Sequence, residues 1–467
     1  MAAQADGATP TLVPPASPVP VTLPRGLALF LLPLALAGAA GLGAGLAPHP
    51  ALVAVAAVGS AGALVLRVER AALAVITSAV FEDYLDLVSP WATEWLAALL
   101  VVAWLVRRAE GPPHDHRLRI AAVPSVLLLL AVGLAFAVHP HGAPGLEVCA
   151  SYAGLVVVML VLADCLCGPL APRRAARAYV LSCVAASVCG IATAVVSDRH
   201  QVVGPVGSPD TFAFFLVAAV PLVGTVRARA AHPVWWVWAS FATMMVAGLG
   251  TQSRAAFAAL VAMIVVAVVT GLLALRYAGA LLALVTSGVA LVVAVLPLPI
   301  GEALTDPQSY ADTNLAQRND VRRVAADMTR ASPVVGLGPA AFSLLDQDYR
   351  EADAEPSDRA LDTAYSSALE ASAELGLLGL VTLYAVWLVP AAAARRRWLR
   401  DRSRITAATL LALDGLVTAS VVESQQLALP LWFVAALALA LGRPARSRLP
   451  VLAAGPDSRS SGQVVPR

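Results

Sequence analysis

In "GTQSRAAFAAL", residues 250–260, an arginine stands where the chain enters an apolar run. Arg254 follows Gly250, Thr251, Gln252 and Ser253, a small and polar lead-in that suits a recessed pocket. A guanidinium at a membrane edge is costly unless it reaches water or meets an anion. A snorkelling end residue and an anion-binding residue both fit this placement. A second set, Arg318, Arg322 and Arg323, lies in "NLAQRNDVRRVAADMTRA". Arg318 and Arg322 are four apart and share one helical face. The planar guanidinium fork matches phosphate oxygens in pairs. A solvated helix pairing with nearby acids is the competing reading.

A third feature is Gly336-x-Gly338-Pro339 within "RASPVVGLGPAAFSLL". With no strand before it, the pattern does not read as a nucleotide loop. It reads as a turn that brings backbone close to a ligand or to another helix. Weaker signals are Glu82-Asp83 and Asp346-x-Asp348, each able to hold a divalent ion but more ordinary as solvated acids. His114-x-His116 lacks further ligands, and Cys165-x-Cys167 reads as small core residues. No metal site and no cofactor are expected. Asp414 and Glu423, in or near the last apolar runs, are candidates for polar function inside a membrane.

The elements that must hold these residues follow from composition. The 467 residues are 59% hydrophobic and 13% charged, with mean hydropathy +0.77. Runs of about 20 apolar residues recur, the length that crosses a hydrocarbon core. They are continuous rather than alternating, which excludes a β-barrel pattern. The expected fold is an all-α polytopic membrane protein of about 12–14 helices. Spans are expected near 26–46, 50–66, 71–88, 93–106, 118–138, 147–166, 177–196, 211–229, 234–250, 254–275, 278–299, 366–393, 404–420 and 426–442. The 71–88 span carries Glu82, Asp83 and Asp86 and is expected to be short or broken. The net charge of +2 gives no case for nucleic acid.

Arginines fall in every second loop: 67 and 70, 107–108, 173–177, 227–229, 276, 395–404 and 443–448. The positive-inside rule places those loops in the cytoplasm, with both termini. The other side then receives His139 and His141, the loop 197–210, and the whole interval 301–365. The expected organisation is a disordered tail 1–24, membrane helices over 25–300, a long extracytoplasmic loop 301–365, membrane helices over 366–442, and a second tail 443–467. A loop of that length in a compact protein is usually functional.

Taken in order, these pieces resemble the O-antigen ligase and polymerase superfamily of bacterial inner membranes. The resemblance rests on Arg318, Pro333, "GLGPAAF" and "AYSSALEASAELGLLGL", with "VGSPDTFAFFLVAAVPL" and "QSRAAFAALVAMIVV" upstream, and covers about 206–385. It implies metal-independent glycosyl transfer outside the cytoplasmic membrane. The donor would be a glycan on undecaprenyl diphosphate, and the acceptor a sugar hydroxyl of a cell-surface glycan. Arg254 and Arg318, with Arg322 and Ser253, would clamp the diphosphate as its charge develops. Apolar helices would hold the polyprenyl tail.

Two departures bear on the chemistry. The family carries His where this chain has Tyr365, and Ser366 stands at its Asn position. The base is then open between Asp362 or Glu374, with Tyr365 positioning the acceptor, and His200 from another outer loop. A diverged, non-catalytic member is the third possibility. The family's Asn-Pro-Asn has become Ser208-Pro209-Asp210, which makes Asp210 a candidate polar site residue. A transporter or flippase for a lipid-linked or anionic solute is the rival class. It would show internal repeats and mid-membrane polar residues, and neither is evident.

Overall fold

The computed structural model describes residues 67–110, 119–168, 170–197, 201–226, 234–272, 320–349 and 363–442. All of them fall in the unit Ala54–Arg467. In chain order the helices are α1 Val68–Ser78, α2 Glu82–Asp86, α3 Ala92–Glu110, α4 Arg119–Val138, α5 Gly142–Cys167, α6 Pro172–Val196, α7 Pro209–Leu222, α8 Trp235–Gly250, α9 Arg254–Val269, α10 at 320–331, α11 Ala341–Leu345, α12 Ser367–Asp401, α13 Arg404–Val422 and α14 Leu429–Leu441. Among the described residues no strand occurs, and six helices are long and apolar enough to cross a membrane. The protein is an all-α polytopic membrane protein.

Apart from 71–88, the described part of each expected span is mostly helical; 26–46, 50–66 and 278–299 lie outside the described residues. The 71–88 span is broken, as its acids suggested. Thr77 bonds back to the Leu73 carbonyl at 2.8 Å. The chain then passes through a 3-10 turn at Ala79–Phe81 before the five-residue α2. Helices dominate because hydrocarbon leaves no partner for an unpaired backbone group.

The core forms around α14. Leu431 to Ala438 are at most 1% exposed on every side of that helix, the condition for a stretch apolar all round. Tyr179 of α6 lies 5.0 Å from Phe433, and Trp387 of α12 meets Trp432 edge-on. Neighbours α5, α7, α12 and α13 enclose the rest. Outward faces carry large apolar residues instead of charges, among them Ile120, Val123, Leu130 and Val381. That is the pattern of a surface solvated by lipid.

The two ends of the bundle differ. One end holds Arg67, Arg70, Arg107, Arg108, Arg173, Arg174, Arg177 and the run 395–404. There Arg174 pairs with Glu69 at 3.5 Å, and Arg177 donates to the Thr225 carbonyl. The opposite end gathers the turns at 139–141, 201–208, 251–253, 363–366 and 423–428. Cross-links join them: Val202 N–H to the Gly250 carbonyl at 2.9 Å, and Gln425 to Thr211 at 3.2 Å. All the described site candidates sit at this second end.

Candidate functional site at one end of the bundle

The Gly-x-Gly turn is locked against α12 by backbone hydrogen bonds. Leu337 and Gly338 donate to the carbonyls of Ala373 and Glu374, both at 2.9 Å; Leu377 donates back to Pro333, also at 2.9 Å. Gly336 (φ +76°) and Gly376 (φ +66°) face each other. A Cβ on Gly336 would collide with the Glu374 carbonyl, and one on Gly376 with the Val334 carbonyl. The partner of this turn is therefore a helix. Gly376 has ψ −171° and breaks α12 into two helical pieces there. The break frees the carbonyls of Ala373 and Glu374 for the turn.

The turn carries α10 with it. Val321, Val324, Ala325 and Met328, at spacing i, i+3, i+4, i+7, form one buried face of α10. That face packs on Ala341, Phe342, Ala364 and Ala373, and Thr329 bonds Ser372 at 3.0 Å. The segment 320–349 thus docks on the start of α12. Arg322 and Arg323 project from the opposite, exposed face. Arg330 there pairs with Asp327.

The start of α12 is a polar knot. Ser366 caps the helix by accepting from Leu369 N–H, and its own amide donates to Ser424 at 3.0 Å. Glu370 accepts from the Ala364 amide at 3.1 Å and from the Gln426 side chain. Ser367 donates to the Glu423 carbonyl and accepts from the Gln425 amide. Gln425 reaches on to Thr211, one residue past Asp210 in the first turn of α7. Tyr365, half-buried, has φ +48° and packs against the α10 cluster.

Ser253 and Arg254 open α9. Ser253 is 3% exposed, and its Oγ has no partner among the described residues. Gln252 before it has φ +58°, which folds the α8–α9 turn tightly. The guanidinium of Arg254 is exposed and meets no carboxylate among the described residues. Beneath it, α7, α8 and α9 enclose an apolar crevice of about 40 Å³, lined by residues such as Leu216, Met244, Gly248, Phe257, Leu260 and Met263.

The structure therefore brings Tyr365, Gly336, Gly338 and Glu374 together around α12 and links Asp210 to them through Thr211 and Gln425. Ser253 and Arg254 share the same end. Arg318, Asp362 and His200 lie outside the described residues. Glu374 is 6% exposed and accepts from the Phe342 amide at 3.4 Å. Its carboxylate is thus engaged at the start of α11. Asp346 is buried and Asp348 exposed, so that pair does not converge. No group of three or more metal-ligating side chains converges among the described residues.

Sequence reasoning missed Glu370, Gln425, Gln426 and His141. The Gln425-Gln426 pair between two apolar runs was the available signal. His141, in "HPHG", donates through Nε2 to the Leu337 carbonyl at 2.7 Å. The carbonyl of His139 abuts Gly338.

Residues 239–384 match the family model described as O-antigen ligase. The match spans α8, α9, the long loop, the interlocked turn and the first half of α12, and it supports the superfamily seen in the motifs. No curated protein matches the chain.

Proposed function

We propose that this O-antigen-ligase-type protein moves a glycan from undecaprenyl diphosphate to a hydroxyl of a cell-surface glycan, outside the cytoplasmic membrane. The observation that carries the reading is the lead-in to α9. Among the described residues, a buried Ser253 hydroxyl without a partner and an Arg254 guanidinium that meets no carboxylate stand above an apolar crevice. An anionic headgroup on an apolar tail fits that pairing.

The leaving diphosphate gains charge as the glycosidic bond breaks, and fixed cations stabilise it. Arg254 is assigned to that clamp, with Arg318 and Arg322 of the loop as partners and Ser253 as a further donor. The crevice between α7, α8 and α9 takes part of the polyprenyl chain. Tyr365 and Asp210 line the acceptor side, and Asp362 or His200 supplies the proton acceptor. The site end faces outward because the arginine-rich end is cytoplasmic by the positive-inside rule.

The test uses purified full-length protein in lipid with undecaprenyl-diphosphate glycan and a panel of glycan acceptors, with and without chelator. Transfer that is indifferent to chelator supports the reading. Transfer that requires a divalent ion moves the chemistry toward Glu82 and Asp83. No transfer to any acceptor counts against an enzyme.

A further inference from the structure

We infer that His141 is a positioning residue of the transfer reaction: it pins the Leu337 turn and thereby holds the arginine face of α10 at the site. The inference rests on the proposed function above, because α10 matters only if its arginines engage the donor.

Three segments far apart in sequence meet at this turn. They are the α4–α5 corner 139–145, the turn 332–340, and the α12 break 373–378. The α12 contacts at Leu337 and Gly338 are backbone to backbone, with the Glu374 carboxyl accepting from the Phe342 amide just beyond the turn. Among the described residues the corner contributes one directed side-chain bond to the turn, from His141 Nε2 to the Leu337 carbonyl at 2.7 Å. A carbonyl only accepts, so Nε2 carries the proton. His141 is also the N-cap residue of α5, yet its side chain makes no cap bond. The ring is thus committed to the turn rather than to its own helix. Around it, Gly338 sits against the His139 carbonyl, and Gly145 leaves room for the Pro339 carbonyl.

The consequence runs through Leu337. Its amide is held by Ala373 and its carbonyl by His141. Its side chain packs on the cluster that seats α10 and Tyr365. Releasing the carbonyl loosens the turn that connects α10 to α11 and docks both on α12. The apolar face keeps α10 on α11 and α12, so the fold survives, while the loosened turn no longer fixes the angle of the helix and the arginines on its exposed face shift with it. Such a loss falls on transition-state stabilisation, hence on turnover more than on stability.

Glutamine separates the readings. Its Nε2 stands the same number of bonds from Cα as the histidine Nε2 and donates equally well. His141→Gln is expected to retain turnover within about threefold, and His141→Leu to lose about tenfold or more in kcat. Both are expected to keep the wild-type thermal midpoint and donor KM nearly unchanged. If Leu also keeps full turnover, the pin has no role. If Gln is as inactive as Leu, and free imidazole restores His141→Ala, the ring nitrogen itself takes the proton and the positioning claim is overturned. If Leu lowers the midpoint in proportion to activity, the bond is merely structural. A wild-type protein inert toward every donor would sink the proposed function instead, before these variants are compared.

Discussion

Arg254 places a positive charge at the first turn of α9, beside helix amides that already carry partial positive charge. A cation there costs about 0.3–1 kcal/mol by the helix dipole alone. Nothing among the described residues offsets it, which is why the placement points to an anion rather than to stability. Arg254→Ala is therefore expected to leave the unfolding midpoint unchanged or slightly raised, while transfer falls by about a hundredfold or more. Thermal unfolding in detergent and an initial-rate assay on the same preparation check the split. A matched loss of stability and activity would contradict it. Gly336 and Gly376 have the opposite signature. Alanine at Gly336 must adopt a left-handed φ and displace the Glu374 carbonyl. Together these are expected to cost at least about 2 kcal/mol, read as a lower midpoint.

At the scale of elements, α12 is built to be broken. Its first nine residues belong to the polar knot, and its longer second piece crosses the membrane. Ser366 starts the first piece, and removing that cap is expected to cost about 1 kcal/mol, read as a midpoint shift in Ser366→Ala. The docking of α10 is a separate, apolar matter. Val324→Asp would bury a charge in the face that packs on α11 and α12. The expected result is early cleavage of the 320–349 segment in limited proteolysis while the membrane helices stay protected. Uncut loop in that variant would mean α10 is not held by this face. Apolar runs and charged loops made the spans legible, because hydrophobic length alone sets a membrane helix. The α10 face was legible only as helical spacing, since nothing in "VRRVAADM" says where it docks. The close backbone approach at Gly336 was legible as one of two readings, but Gly376 as its partner was not, because the contact is made by backbone atoms that any sequence possesses. The setting of Glu374 was illegible for a related reason: it depends on the amide of Phe342, 32 residues away.

Over the whole molecule, charge is divided between the ends, and the reading of function depends on which end faces outward. A cysteine placed at Val334, 62% exposed at the site end, is expected to react with an impermeant thiol reagent added to intact cells. One placed at Arg400 is expected to react only after the membrane is opened. The reverse pattern would put the site in the cytoplasm and remove the surface acceptor. Bond cleavage itself separates a glycan ligase from a carrier that merely moves the lipid-linked donor. The decisive measurement is the yield of undecaprenyl diphosphate per glycan joined to acceptor, by wild type and by Arg254→Ala, in the same vesicles. One released diphosphate per glycan transferred, with both products lost together in the variant, is the expected result. Donor moved across the vesicle with its glycan still attached, and equally well by the variant, would contradict it.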